Sequence, residues 1–262
     1  NLSLNTDKEI ELINMGMSGL RATHHYISLK EVKKYQPDLV VFLLGLNDWN
    51  FHITNRNRVF LFPYLEIKYD FRKSLLHKIY VKFNRLATKA VKKKKLNSIE
   101  KKLTSNPTNE EKLISFHKLV SENINSKKTI ETFYPENVSQ EYSFWMLQIF
   151  NECKKNKYNC IFTDQPNAYK KNVSLRLKNR FWMTPPYQKY TLSLGNLEKI
   201  SKLYNNWLKT NVNKNDLNFC LLSEYFEPST DNFYDDAHFA ENGSKKVAKI
   251  LTNCLKTDSN FN

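Results

Sequence analysis

The stretch LVVFLLGLND, residues 39–48, decides the fold. Its apolar run begins with β-branched residues and continues with Leu and Phe, which is typical of a strand buried on both faces of a sheet. The apolar run ends at residue 46 and is too short to cross a bilayer. Asn47 and Asp48 follow directly. The stretch therefore predicts a central strand with polar side chains at its carboxyl end.

Helices alternate with strands along much of the remaining chain. Apolar residues at helical spacing, each set followed by a short apolar run, mark successive helix–strand pairs. This alternation is typical of a mostly parallel sheet covered by helices, so it predicts an α/β fold. In chain order, the predicted elements are a strand at 10–16, a helix ending before Pro37, a strand at 39–45, a helix at 143–155, a strand at 159–164, a helix at 197–208, a strand at 218–223 and a helix at 247–255.

Polar or small residues follow each predicted strand, in the segments MGMSG, GLNDWN, TDQPN and SEYFEP. In open parallel sheets, ligands bind beyond the carboxyl ends of the strands. We therefore expect the chemistry of this protein to lie in these four segments and in whatever packs against them.

The chain is strongly basic, since 41 Lys and Arg against 26 Asp and Glu give its 262 residues a net charge of +15. Such a charge favours anionic surroundings such as nucleic acid, acidic glycan or phospholipid headgroups. A genome biased toward Lys, Asn and Ile codons explains the same composition without any partner. The hydrophobic content of 40 % is sufficient for a folded core.

The four cysteines form no CxxC pair and show no zinc-ligand spacing. Cys160 and Cys220 lie in apolar runs, which favours buried thiols. A disulfide remains an alternative, so the sequence leaves the redox compartment open.

Residues 52–138 interrupt the alternation, because no convincing strand occurs there. Within them, a stripe of apolar residues at helical spacing is flanked by Arg and Lys, at about 71–95. Such a basic amphipathic helix can lie on an anionic membrane surface. A solvated helix that packs on the domain by its apolar stripe explains the same pattern. We interpret residues 1–262 as one domain with a basic, mainly helical insertion.

The stretch YDDAHFAENG, residues 234–243, carries an acid three residues before a histidine. Asp235 can accept the Nδ1–H of His238, which fixes the tautomer and leaves Nε2 as a base. For DxxH in isolation, a surface acid followed by a packed histidine is the simpler explanation.

Two further positions fit an acyl-transfer site. Asn47 can project a neutral, fixed amide from the end of the central strand, which suits an oxyanion donor. Gly19, in the segment MSG, lets a backbone N–H approach a ligand closely. Ordinary turns explain each segment when it is taken alone.

Together these residues resemble the SGNH (GDSL-type) hydrolase family. That family carries a nucleophilic Ser in a GDS-like block, a Gly, an Asn in a GxND block and a DxxH pair near the C-terminus. Gly19 matches the second block, Asn47 in GLND the third, and Asp235 with His238 the last. The resemblance implies a flavodoxin-like three-layer α/β/α fold, a Ser-His-Asp triad, and an oxyanion hole formed by Gly19 and Asn47.

The resemblance covers residues 8–51 and 140–255, with two departures. Phe239 stands where the family usually has Pro, and the GDS-like block is absent. We expect the nucleophile and the first strand of the sheet to lie upstream of Asn1, since a gap in the middle of the sheet would leave backbone groups unpaired. We therefore interpret the sequence as a fragment with little or no esterase activity of its own. Ser18 is an alternative nucleophile, although GMSG lacks the GxSxG pattern.

The resemblance implies an ester hydrolase that removes O-acyl groups from a glycan or lipid and uses no metal or cofactor. An O-acetyltransferase acting on surface polysaccharide would use the same residues. A non-catalytic binding module would keep the fold without the serine. A nucleic-acid binder is the last alternative, and we expect no nucleic-acid partner because no recognised motif is present.

Three residues that follow strand ends, Trp49, Phe51 and Gln165, are candidates for the lining of the substrate cleft, although their types and positions favour a structural role. Core packing or loop anchoring is the alternative for each. The sequence leaves both the bacterial cell envelope and the cytoplasm open as the compartment.

Overall fold

The computed structural model describes residues 11–17, 19–54, 127–131, 133, 135–185 and 188–257. By contacts between residues, the chain divides into two units. One unit combines Asn1–Arg58 with Val120–Asn262 and contains every described residue. The other unit, Val59–Leu119, lies outside the described residues, and so does the predicted basic helix at 71–95.

Helices and strands alternate, and from Leu39 onward each strand predicted from the sequence is present within the described residues. The expectation of no strand in residues 52–138 is wrong at Lys128–Ile130, because three residues are too few to show a strand pattern. The elements are α1 (Ala22–Val32), β1 (Leu39–Leu43), α2 (Leu46–Thr54), β2 (Lys128–Ile130), α3 (Gln140–Asn156), β3 (Asn159–Thr163), α4 (Leu175–Lys178), β4 (Tyr190–Leu192), α5 (Leu194–Lys214), β5 (Asn218–Cys220) and α6 (Glu241–Thr257), with short 3-10 helices at Lys33–Tyr35 and Ser223–Tyr225.

The strands form two parallel sheets, one of order β1-β3-β5 and one of order β2-β4. In the three-stranded sheet, Leu43 pairs with Thr163, and Thr163 pairs with Cys220. These three residues are the last of their strands, so the carboxyl ends lie level at one edge. The segments that follow the three strands therefore gather at the same edge.

Helices pack on both faces of the three-stranded sheet. One face carries Phe42 and Phe162, whose rings stack with centroids 4.7 Å apart, and it packs into a core shared with α1, α3 and α5. The opposite face carries Ile161 and Cys220, which pack against Leu255 of α6. The fold is therefore mixed α/β with parallel strands, as the alternating pattern predicts.

Strand β1 lies at one side of this sheet and pairs only with β3 among the described strands. Val41 and Leu43 share a face with Ile161 but remain 43 % and 39 % exposed. Helix α6 thus packs against β3 and β5 on that face, whereas of β1 only Leu39 joins this cluster.

The predicted strand at 10–16 is wrong for the residues that the structure describes. Residues 11–17 form no strand, and Leu12 is 83 % exposed. The Asn14 side chain instead accepts a hydrogen bond from the backbone N–H of Gly16 at 2.9 Å. Such a local bond competes with the backbone pairing that a strand requires.

The predicted buried thiols at Cys160 and Cys220 are also wrong, because all four cysteines form disulfides. Cys153–Cys160 joins the last turn of α3 to β3, and Cys220–Cys254 joins β5 to α6. The fold brings the paired Cα atoms to 6.2 Å and 5.9 Å, a proximity that residue spacing alone does not reveal. Disulfides persist in oxidising compartments, which favours the cell envelope over the cytoplasm.

Removing the Cys220–Cys254 disulfide is expected to destabilise the protein more than removing Cys153–Cys160. The bonded residues are 34 and 7 positions apart, and the larger loop loses more chain entropy when it is closed. The chain-entropy relation gives contributions of about 4 and about 2 kcal/mol. Urea unfolding of the two double Cys→Ala variants measures both, and equal losses would contradict the expectation.

Candidate active site

A closed turn carries the DxxH pair. Phe233 and Phe239 pair in an isolated antiparallel bridge, and the Tyr234 N–H donates to the His238 carbonyl at 2.8 Å. Asp235 and the residues up to His238 therefore lie in the turn between the two paired ends. The three-residue separation of Asp235 and His238 is therefore contained within one hydrogen-bonded turn.

Phe239, at the position where the family that the motifs resemble usually has Pro, anchors the base of this turn. Its ring lies 5.2 Å from that of Phe226 and 5.8 Å from that of Phe233, measured between centroids. The three rings belong to the main core or pack against it. A large apolar side chain at this position therefore fixes the turn to the core by packing.

Asp235 and His238 form the hydrogen-bonded pair that the sequence predicts. The Nδ1 of His238 lies 2.8 Å from Oδ2 of Asp235, and Oδ1 accepts the backbone N–H groups of Ala237 and His238 at 3.0 and 2.9 Å. Burial alone would raise the pKa of Asp235, but the hydrogen bonds from His238 and Ala237 outweigh it and hold the pKa below its usual value. Asp235 is therefore an ionised, oriented acceptor.

His238 has the accessibility and the tautomer that a general base requires. Its side chain is 53 % exposed, whereas that of Asp235 is 1 % exposed. Because the ionised carboxylate accepts a hydrogen bond from Nδ1–H, neutral His238 has its lone pair at Nε2. The hydrogen bond to Asp235 raises the pKa of His238, and burial opposes it only in part. In the described part of the chain, Nε2 has no hydrogen-bond partner.

The neighbouring acid, Asp236, has a different role. It is fully buried and accepts hydrogen bonds from the Tyr169 hydroxyl at 2.9 Å and from the backbone N–H of Met183 at 3.1 Å. Burial, reinforced by the charge of Asp235, raises the pKa of Asp236 to about 7. Asp235, and not Asp236, is therefore the partner of His238.

The turn is docked at the carboxyl edge of the three-stranded sheet. The backbone N–H of Ala168, in the loop after β3, donates to the Asp236 carbonyl at 2.9 Å. Asp164 at the end of β3 accepts the backbone N–H groups of Leu222 and Ser223, which follow β5, at 2.5 and 3.1 Å. The pair therefore lies where parallel sheets bind their ligands.

Gly19 and Asn47, the other two residues of the motif resemblance, also lie together. The Asn47 side-chain amide donates to the carbonyl of Leu20 at 2.9 Å, and Gly19 has a φ of +80°, which favours glycine. An amide nitrogen carries two hydrogens, so one donor of Asn47 is left for a ligand. Asp48 accepts the N–H of Ala22 at 3.0 Å, and burial raises its pKa to about 7.

The structure thus places the four matched residues in two groups. Within the described residues, no hydrogen bond or ring contact links the Gly19–Asn47 group to the Asp235–His238 pair. Both groups belong to the carboxyl edge of the same sheet. Ser18, the alternative nucleophile, lies outside the described residues.

The three residues assigned to the cleft lining lie mostly inside the protein. Trp49 is fully buried in the core, so its assignment to a cleft is corrected: it is on the inner face of α2. Gln165 is buried, and its amide donates to the Pro166 carbonyl at 3.0 Å. Phe51 is half-buried, with the Arg21 guanidinium 3.7 Å above its ring.

Sequence reasoning missed Trp182, which touches both members of the pair. Its indole Nε1 donates to Oδ2 of Asp235 at 2.6 Å, and its ring lies nearly parallel to the His238 imidazole at 15°. The two partners are 53 residues apart in sequence from Trp182 to Asp235. No local pattern marks such a contact.

Comparisons with known proteins found no relative, so the assignment of these residues to an active site rests on the motifs and the geometry. A scan against protein-family models found no match, and searches of curated proteins and of solved structures found none either. In the part of the chain that is described, no three His, Cys, Asp or Glu side chains group as metal ligands. No described helix is both long and apolar enough to cross a membrane.

Asp235→Asn is expected to lower the pKa of His238. The carboxylate raises that pKa through its hydrogen bond and its charge, and both are lost when a neutral amide replaces it. An NMR titration of the His238 imidazole measures the shift. Asp231→Asn, an exposed change in the same segment, controls for loss of one negative charge. A His238 pKa equal in both variants would refute the pairing.

Gly243→Ala is expected to destabilise the protein by about 1–3 kcal/mol, because a side chain must be forced into a packed contact. A Cβ at Gly243 would lie 2.0 Å from the Asn232 carbonyl oxygen, so the backbone before the turn must shift. Gly195→Ala is the matched control, since no atom lies within 4 Å of its Cβ. Urea unfolding should show a loss for Gly243→Ala only, and equal stability of the two variants would contradict this.

Proposed function

We propose that this chain carries the Asp–His part of a serine ester hydrolase of the SGNH type, which removes O-acyl groups from a glycan or lipid. The observation that carries the proposal is the 2.8 Å hydrogen bond between buried Asp235 and half-exposed His238. The bond fixes the imidazole with Nε2 accessible, and that atom is the one a serine hydroxyl must reach.

The order of the strands supports the same proposal. Parallel strands in the order β1-β3-β5 correspond to the last three strands of a flavodoxin-like sheet. In such a sheet another strand pairs with β1 on the edge away from β3, and among the described strands that edge of β1 has no partner. The proposal places the nucleophilic serine at the carboxyl end of that further strand, upstream of Asn1, with Ser18 as the alternative.

The proposed reaction follows from the positions of the proton donors and acceptors. The serine oxygen attacks the acyl carbonyl while Nε2 of His238 takes the hydroxyl proton. The backbone N–H of Gly19 and the free amide hydrogen of Asn47 bind the resulting oxyanion, and loss of one such donor costs about 2.7–4 kcal/mol of transition-state stabilisation. The imidazolium, stabilised by Asp235, then protonates the leaving alcohol. Water repeats the sequence to release the acid.

A fluorophosphonate probe and a short-chain nitrophenyl ester test the proposal on the complete gene product and on residues 1–262 in parallel. We expect labelling of one serine and ester hydrolysis in the complete gene product, and neither in residues 1–262 if the serine lies upstream. His238→Ala should lower the rate by about 10²–10⁴-fold, since the general base is removed. Asp231→Asn is the control and should leave the rate unchanged.

Peptide mass spectrometry of the labelled protein identifies the nucleophile. A label on Ser18 would show that Ser18, and not an upstream serine, is the nucleophile. Acyl transfer to a sugar that outpaces hydrolysis would assign the protein to the acyltransferases. A complete gene product without labelling and without hydrolysis would overturn the proposed function.

A further inference from the structure

We propose that Trp182 is a positioning residue for the Asp235–His238 pair and holds both members at once. The inference deepens the proposed function, because it concerns how the general base of that reaction is oriented.

Trp182 contacts each member of the pair in a different way. Its indole N–H donates to Oδ2 of Asp235 at 2.6 Å, and the same oxygen lies 2.8 Å from Nδ1 of His238. The indole and imidazole rings are inclined by 15°, with centroids 6.1 Å apart, which is an offset parallel arrangement. One side chain therefore donates a hydrogen bond to the carboxylate, on the oxygen that both rings share, and lies beside the imidazole.

The indole completes the set of donors around the carboxylate. An ionised carboxylate has about four acceptor positions. Oδ1 takes the backbone N–H groups of Ala237 and His238, and Oδ2 takes Nδ1 of His238 and the indole of Trp182. Without the indole, one position at Oδ2 would be open, and the carboxylate could rotate away from the imidazole.

Asp236 holds Trp182 in place. Its carboxylate accepts the backbone N–H of Met183 at 3.1 Å and lies 3.4 Å from the backbone N of Trp182. The Tyr169 hydroxyl binds the same carboxylate at 2.9 Å. Two consecutive acids thus hold the segment at Trp182: Asp236 accepts from its backbone, and Asp235 accepts from its indole. This double attachment places the indole beside His238.

Other ionisable groups act on the pair electrostatically and stay unchanged when Trp182 is replaced. They are Asp236 beside Asp235, Tyr169 and Lys127 beside Asp236, Tyr234 beside Asp235, and Arg180 beside Tyr234. A difference between wild type and a Trp182 variant therefore reports on the indole.

The protein has four tryptophans, so its ¹H–¹⁵N spectrum has four indole signals, and Trp182→Phe identifies one of them by its loss. We expect that signal to lie downfield, to exchange slowly with solvent and to shift as Asp235 titrates. Asp235→Asn should move it upfield. The buried indoles of Trp49 and Trp145, which have no acceptor in the described part, should not respond.

Trp182→Phe keeps an aromatic ring and removes the N–H donor. The pKa of Asp235 should rise, because a hydrogen bond to its ionised form is lost. In the active complete gene product, kcat should fall about tenfold with KM little changed, as for a residue that orients a general base. Trp207→Phe, a half-buried ring on α5, is the matched control and should change neither the Asp235 titration nor kcat.

Two results would overturn the inference. One is an indole signal of Trp182 that ignores Asp235→Asn, and the other is an Asp235 titration that is the same in Trp182→Phe and wild type. If the indole responds but the complete gene product hydrolyses no ester, the proposed function fails and the positioning contact stands.

Discussion

Buried carboxylates hold together the loops at the carboxyl edge of the sheet, and the candidate site depends on them. Asp48 binds the start of α1, Asp164 binds the segment after β5, and Asp236 binds the segment around Met183. Each acceptor is a carboxylate and each donor is a backbone N–H, a type of bond that contributes about 1.5–3 kcal/mol. Burial works against these acids and raises the pKa of Asp48 and of Asp236 to about 7, so the donors are needed to keep them inside.

The candidate pair thus differs from the buried acids that hold it. Asp235 has a lowered pKa and faces an exposed imidazole, whereas Asp236 has a raised pKa and faces the buried Tyr169 and Met183. Two adjacent residues of one type thus have opposite electrostatic environments. The pKa values differ because His238 donates to Asp235, whereas the charge of Asp235 adds to the effect of burial on Asp236.

The parts of this structure that the sequence predicts depend on short-range patterns. Helical spacing and apolar runs locate the strands β1, β3 and β5 and the helices α3, α5 and α6, but not the three-residue strands β2 and β4. The i to i+3 spacing of Asp235 and His238 is contained within one turn. The parts it misses depend on distant residues. Trp182 reaches Asp235 across 53 positions, and Cys220 meets Cys254 only after α6 has packed on the sheet. Apolar periodicity likewise cannot show that residues 11–17 form no strand, because pairing requires a neighbour.

The disulfide between Cys220 and Cys254 closes a covalent ring, and the turn with Asp235 and His238 lies inside it. A proteolytic cut anywhere within that ring would leave both resulting pieces attached to each other. The histidine would therefore stay linked to β5 on one side or to α6 on the other. Nicked protein would be recognised only after reduction, when the two fragments separate.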